Sequence, residues 1–228
     1  MKNKAIILLS GGLDCVVSLA LVKEICSDIL ALTFNYGQKS FLAEKDSAEK
    51  IAQYYNIKHE IVELPWLAKI STSSLNNNLD VPKVDFEHLD EFINSKSNSN
   101  SVWVPNRNAL FANIAATYAE ALDYDSIIIG ANKEEAVVFK DNSAEFINAI
   151  NKSFENSLNT PVMLIAPLID ANKTDIVKIG LELKIPFHLI HSCYSSNDKH
   201  CEECESCVRL KRALIENNAY EIIDKIFN

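Results

Sequence analysis

Glycine is scarce in this chain, with 5 in 228 residues. Gly11, Gly12, Gly37 and Gly130 each fall just past a stretch that reads as a strand. That clustering predicts a single ligand crevice along one edge of a sheet. Basic charge is short as well: 22 Lys and Arg stand against 31 Asp and Glu, a formal net charge of −9. Such a balance disfavours direct nucleic-acid binding but leaves room for a local basic pocket. Long apolar runs are missing too. Met1-Lys2-Asn3-Lys4 leads into an apolar stretch that a glycine turn ends, too short for a signal sequence or a membrane span. The expected location is therefore the cytoplasm, with no membrane partner. The phosphate-loop pattern G-x-x-x-x-G-K-[ST] is absent. In a reducing compartment, 6 cysteines point to metal or chemistry rather than disulfides.

What is present begins at Ile6-Ile7-Leu8-Leu9-Ser10-Gly11-Gly12-Leu13-Asp14-Cys15. Four apolar residues run into a Ser-Gly-Gly turn, and Leu13, Val16, Val17, Leu19, Ala20 and Leu21 continue with helical spacing. The stretch reads as a buried parallel strand, a tight loop and a helix start. Paired glycines let backbone N–H groups approach an anion, and the helix start adds unpaired donors and a positive dipole end. Together they make a phosphate site. The form Ser-Gly-Gly-x-Asp resembles the PP-loop of the ATP pyrophosphatases, which split ATP between its α and β phosphates.

Along the chain, strands are expected at Ile29–Phe34, His59–Leu64, Ser126–Ile129 and Val162–Ile165. Helices are expected at Ala43–Tyr55, Ala109–Leu122, around Ser143–Phe154, at Lys173–Leu183 and through the tail from Val208 to Phe227. The alternation predicts an α/β fold: a Rossmann-like, doubly wound, parallel five-stranded sheet. The chain length and a hydrophobic content of 48% suit one such domain with a small appendage. The proposed division is 1–190 for the nucleotide-binding domain and 191–228 for the appendage. Residues 68–101 are rich in Ser and Asn, which predicts a lid-like insertion with disorder at Ser95–Asn100. Phe86, Leu89, Phe92 and Ile93 within it have helical spacing and are expected to pack in part on the body.

The second strong signal is Cys193-x7-Cys201-x2-Cys204-x2-Cys207. Four thiolates at this spacing can enclose one tetrahedral Zn²⁺. A redox pair and disulfides are the competitors. Four sulfur ligands leave no open position, so the expected zinc is structural. His200 is expected to stand by rather than to coordinate, and Cys26 to be a core residue.

The PP-loop and the four-cysteine knuckle, in that order, resemble the 7-cyano-7-deazaguanine synthase family of queuosine and archaeosine precursor synthesis. Further stretches are similar to the family's: Tyr36-Gly37-Gln38-Lys39, Val104-Pro105-x-Arg107-Asn108, Gly130-Ala131-Asn132, Ala166-Pro167-Leu168, Lys173-x-x-Ile176 and Ser192-Cys193-Tyr194. The resemblance implies that 7-carboxy-7-deazaguanine is adenylated by ATP with Mg²⁺, converted by ammonia to an amide and then dehydrated to a nitrile. Ser10, Asp14, Arg107 and Lys173 are its implied catalytic residues. Leu9, Ser10, Gly11, Gly12, Leu13, Asp14, Cys15, Thr33, Phe34, Tyr36, Gln38, Arg107, Gly130 and Lys173 are the expected nucleotide contacts. Adenine is expected on the backbone of Leu32 to Phe34. Asn108, Asn132, Glu135 and Asp141 are the expected substrate contacts, and Cys193, Cys201, Cys204 and Cys207 the metal ligands. A homodimer is implied as well.

The chain departs from the family's pattern in places. Cys15 stands where Ser or Thr is frequent, Asn106 where Gly is usual and His191 where Trp is usual. A thiol at a helix start is expected to have a lowered pKa, although a tolerated substitution is the simpler account of Cys15. After Gly130 the family reads an acidic residue and Gly-Tyr-Pro-Asp-Cys-Arg. Here Glu135 precedes Val138-Phe139-Lys140-Asp141-Asn142-Ser143. The competing readings are a related ligase that stops at the amide or joins the acid to a peptide amine, a tRNA-modifying PP-loop enzyme and a non-catalytic nucleotide-binding module.

Overall fold

The computed structural model describes residues 3–89, 100–195 and 199–227. Strands β1 (Lys4–Leu8), β2 (Asp28–Asn35), β3 (Lys58–Glu63), β4 (Ser126–Ile128) and β5 (Met163–Ile165) form one sheet in the order β3-β2-β1-β4-β5. Every pairing is parallel. The chain therefore moves outward from β1 to β3 and returns to the other side of β1. This reversal opens a crevice beyond the carboxyl ends of β1 and β4.

β1 lies between β2 and β4, and Ala5, Ile6 and Ile7 are fully buried. Its unbroken apolar run follows from having both faces covered. Ala5 and Ile7 join one hydrophobic cluster and Ile6 joins the other. Helices α1 (Leu13–Lys23) and α2 (Phe41–Tyr54) follow β1 and β2, and the short α3 (Pro65–Ile70) follows β3. On the face of Ile6, α4 (Arg107–Leu122) contributes Ala112, Ala115, Ala116 and Ala119. After β4 come α5 (Lys133–Ala136) and α6 (Ala144–Ser157), which buries Phe154 on that same face. On the opposite face, α1 packs with α7 (Lys173–Glu182), α8 (Glu205–Glu216) and α9 (Tyr220–Phe227). The edges read differently: β3 alternates, and β5 buries Leu164 alone.

The tail is two helices rather than the one expected from Val208 to Phe227. α8 starts earlier, at Glu205, and the chain turns at Asn218, whose φ is +56°. A left-handed residue closes a helix by turning its last N–H groups back on the final carbonyls. Asn217 donates to Ala213, Asn218 to Ile215 and Ala219 to Leu214. Cys26 lies beyond the end of α1, half-buried, and its N–H bonds Val22 O.

Part of the 68–101 insertion packs on the body. Leu89 is buried with Val84 and Val208, while Phe86 is exposed. Phe92, Ile93 and Ser95 to Ser99 lie outside the described residues. A strap within the insertion, from Leu75 to Val84, is tied at both ends: at one, Lys39 N–H donates to Leu75 O. At the other, Lys83 bridges Cys204, Val84 N–H donates to Glu203 O, and Lys83 pairs with Glu203.

Candidate active site

The loop after β1 is shaped by Gly11. Its φ is +81°, and a Cβ there would lie 2.3 Å from Ser47 Oγ. Ser47, on α2, fills that space and donates to Leu189 O at 2.6 Å. Gly130 serves another purpose. A Cβ on it would sit 2.8 Å from the Cys15 backbone nitrogen. Its bare Cα lets the end of β4 press against the start of α1. Gly12 caps α1 with no side-chain acceptor, which leaves the first helical N–H groups to partners from elsewhere.

Around this loop lies a cavity of about 240 Å³. Its wall includes Leu9, Ser10, Gly12, Leu13, Asp14 and Cys15 from the β1 loop, with Phe34 and Tyr36 beyond β2. Gly130 and Glu135 come from the β4 side, Arg107 and Asn108 from α4, and Lys173 from α7. Five anticipated residues stand behind the wall. Gly11 turns toward Ser47. Thr33 donates to Leu9 O at 2.5 Å and meets His59 Nε2 at 2.7 Å. Gln38 spans Phe34 O and Glu44, both at 2.9 Å. Asn132 caps α5 and donates to Asp14 at 3.3 Å. Asp141 holds Asn108 through its backbone carbonyl at 3.1 Å.

Buried charges make the floor. Lys173 Nζ pairs with Asp14 at 2.7 Å and with Glu135 at 3.2 Å. Burial opposes the Lys173 charge, but Asp14 and Glu135 outweigh it and hold the ammonium above its ordinary pKa. Burial raises the Asp14 carboxyl, and the pull of Lys173 offsets only part of this. For Glu135, burial is outweighed by Lys173 and Arg209, and its pKa falls. Asp14 Oδ1 is buried without a partner. An ionised carboxylate oxygen in that condition is costly unless something occupies it. On the other wall, Arg107 donates to Tyr36 Oη at 3.2 Å and lies 5.7 Å from that ring's centre. Phe34 and Phe111 stack at 4.0 Å.

Cys15 reverses one expectation. Burial pushes its thiol up rather than down, because the group is shut off from water and its hydrogen bonds with Ser10 offset only part of that. Its Sγ donates to Gly12 O at 3.1 Å, a bond that Ser or Thr could also make.

Sequence reasoning missed two further contributions. The first is the wall supplied by Ser40, Glu44, Leu75 and Phe111, residues without a motif whose placement depends on chain folding. The second is Arg209, 2% exposed, which bonds Glu134 at 2.6 Å and also pairs with Glu205. Glu134 in turn accepts the Lys173 backbone N–H at 2.8 Å. Helix α8 is thereby wired to the start of α7.

The four cysteines converge. Their sulfur atoms all lie within 4.8 Å of one another, and Cys201 and Cys207 are 3.9 Å apart. A tetrahedron of thiolates about 2.3 Å from a zinc ion has edges of about 3.8 Å. This geometry suits a metal ion and fits a zinc knuckle. His200 is occupied elsewhere: its Nε2 accepts Ser192 N–H at 3.1 Å and its Nδ1 meets Ile226 O at 3.1 Å. Cys193, Tyr194 and Ser206 also reach the cavity, so the knuckle forms part of its wall.

Residues 4–218 match the family model described as queuosine biosynthesis protein QueC. The chain belongs to the QueC family. The 7-cyano-7-deazaguanine synthase of Methanobrevibacter smithii is 45% identical over 213 residues, 93% of each chain. That of Carboxydothermus hydrogenoformans is 46% identical over 92% of this chain and 98% of its own. Among solved structures, NMN synthetase from Francisella tularensis matches with a TM-score of 0.50 at 14% identity, over 97% of this chain and 86% of that one. This last likeness concerns the fold. The QueC family's PP-loop fold implies ATP use, and the cavity places the Ser10–Cys15 loop beside a metal knuckle within one site.

Proposed function

We propose that the protein is a 7-cyano-7-deazaguanine synthase, converting 7-carboxy-7-deazaguanine and ammonia to the nitrile at the cost of two ATP. The observation that carries this reading is the Lys173–Asp14–Glu135 cluster at the PP-loop, with Asp14 Oδ1 left open. A carboxylate oxygen of the substrate attacks the α-phosphorus, the bond to the β-phosphate breaks, and pyrophosphate leaves. Ammonia then attacks the acyl carbon and AMP departs, giving the amide. In the second round the amide oxygen attacks the α-phosphorus, pyrophosphate leaves, and loss of AMP and two protons gives the nitrile.

Such steps need orientation and charge stabilisation more than a protein nucleophile. Gly12, Leu13 and Ser10 are assigned to the pyrophosphate portion, and Lys173 and Arg107 to phosphate oxygens. Arg107 offers the bidentate geometry suited to them. Asp14 would hold Mg²⁺, which supplies charge neutralisation on the phosphates. The apolar walls at Leu32, Phe34 and Phe111 suit flat rings. Asn108, Asn132, Glu135 and Asp141 are assigned to the acceptor side, with Asn132 and Asp141 acting through Asp14 and Asn108. The four-cysteine site is assigned to structural zinc. The reading includes a homodimer in the cytoplasm.

Acid-dependent exchange of labelled pyrophosphate into ATP tests the adenylation. Asp14→Asn and Lys173→Ala should each lower it about 10²-fold or more while the far-ultraviolet dichroism stays unchanged. Near-normal exchange in either variant would refute these assignments.

A further inference from the structure

Successive backbone amides at the mouth of the PP-loop are each met by a serine hydroxyl. Gly12 N–H donates to Ser10 Oγ at 3.4 Å. Leu13 N–H donates to Ser192 Oγ at 3.3 Å, from a residue far along the chain. Ser10 belongs to the loop motif, whereas Ser192 is carried in from the metal knuckle.

Ser192 is fixed from several directions. His191 N–H donates to Gly11 O at 2.9 Å. Ser192 N–H donates to His200 Nε2 at 3.1 Å, and the His200 ring lies 5.1 Å from that of Phe227. Cys193, the next residue, contributes its sulfur to the metal cluster. Tyr194 Oη donates to Glu205 at 3.1 Å. His191 and Ser192 thus bond the PP-loop, while Cys193 and Tyr194 reach the knuckle.

The hydroxyl also faces the ligand space. A methyl group on Gly12 would lie 3.5 Å from Ser10 Oγ and 3.8 Å from Ser192 Oγ. Both serines line the cavity, as does Asp14, whose Oδ1 is buried without a partner. Bonds of 3.3–3.4 Å are long, and hydroxyls rotate freely to suit a partner. While Ser192 Oγ accepts from Leu13, its own proton remains available to donate.

We propose that Ser192 is a phosphate-binding residue delivered by the metal knuckle, its hydroxyl steadying the Leu13 amide and donating its proton to an oxygen of the pyrophosphate portion of ATP. The proposal rests on the nucleotide-site reading above. It gives the knuckle a share in the ligand contacts, since its ligand Cys193 sets the position of Ser192.

The test is titration calorimetry with ATP, pyrophosphate and AMP, each with Mg²⁺, on the wild-type chain, Ser192→Ala and Ser192→Thr. Metal content and melting temperature are recorded for all three. Ser192→Ala should weaken ATP and pyrophosphate by about tenfold or more, the effect of losing a hydrogen bond to a charged group. It should keep its metal and melting temperature and leave AMP within about twofold. Ser192→Thr should recover most of the loss. Equal weakening of ATP and AMP together with a lower melting temperature would overturn the proposal in favour of a purely structural cap. Unchanged ATP affinity in Ser192→Ala would overturn it and leave the nucleotide site standing. A wild-type chain that fails to bind ATP would overturn the nucleotide site and this proposal together.

Discussion

Asn106 precedes α4 with φ at +55°, a conformation that costs most L-residues about 1–2 kcal/mol. Asn tolerates it better than other side chains, which explains why it can stand where glycine is usual in related sequences. Its position fixes the entry angle of α4 and so the start of the helix that carries Arg107 and Asn108. Asn106→Gly should therefore match or exceed the wild-type stability. Asn106→Ala should lose about 1 kcal/mol. Chemical denaturation curves for the two variants check this, and an unchanged midpoint for Asn106→Ala would show that the strain is absent. Cys15 follows a similar logic. Its place at a helix start points to a lowered pKa, which burial reverses, while the bond it donates to Gly12 O fits the simpler account of a tolerated substitution. Exposure of a helix start is a property of the folded surroundings, and the local pattern carries no record of it.

At the scale of elements, the knuckle connects three parts of the molecule. Its 191–194 segment bonds the PP-loop, Glu203 and Cys204 hold the strap at Lys83 and Val84, and α8 reaches Glu134 through Arg209. Cys204 is itself 3% exposed and stands at the N-cap of α8. Loss of one thiolate from a closed site removes binding energy that is also folding energy. Cys204→Ser should thus lose metal and lower the melting temperature. Undiminished stoichiometric metal with an unchanged transition would contradict this. The strands were legible in advance to within a residue or two, because each is an apolar or alternating run closed by a turn. The four cysteines were legible from spacing. The 68–101 insertion was legible in part: apolar spacing pointed to packing at Leu89, whereas Leu75, in a Ser- and Asn-rich stretch of little periodicity, is placed by burial in the core and by bonds with Lys39 and Ser73. The break at Asn218 was hidden for a related reason: apolar spacing continues across it while the backbone turns.

At the scale of the whole molecule, the buried charges predict a pH window. Glu135 is held below its ordinary 4.5, so its contribution is present above that value and is lost as pH falls through its lowered pKa. Lys173 is held above its ordinary 10.5, so its contribution is complete below that value and is lost as pH rises through the raised one. Asp14 has the opposite sign to Glu135: its raised pKa favours the protonated form, and its ionisation above the ordinary 3.8 subtracts from stability. The Lys173–Glu135 contribution should therefore be broad from about pH 5 to about pH 10. Thermal unfolding of the wild type and of Glu135→Gln across pH should show the variant's deficit between those limits and its shrinkage at acid pH. A deficit that grows on acidification would contradict the sign.

The architecture, with its parallel sheet and crevice at the strand-order reversal, was readable because right-handed crossovers restrict what alternating strands and helices can build. Lys173 and Glu135 were expected at one crevice through the resemblance, whereas the approach of Arg209 was not, since it comes from a separate element and no spacing connects it to them. The most direct measurement of the central claim is mass spectrometry of the product. The purified protein is incubated with ATP, Mg²⁺, ¹⁵N-ammonium and 7-carboxy-7-deazaguanine. The account predicts 7-cyano-7-deazaguanine carrying one ¹⁵N, preceded by the labelled amide, with two AMP formed per nitrile. Unchanged acid with no acid-dependent AMP, or amide that accumulates without nitrile under excess ATP, would contradict it.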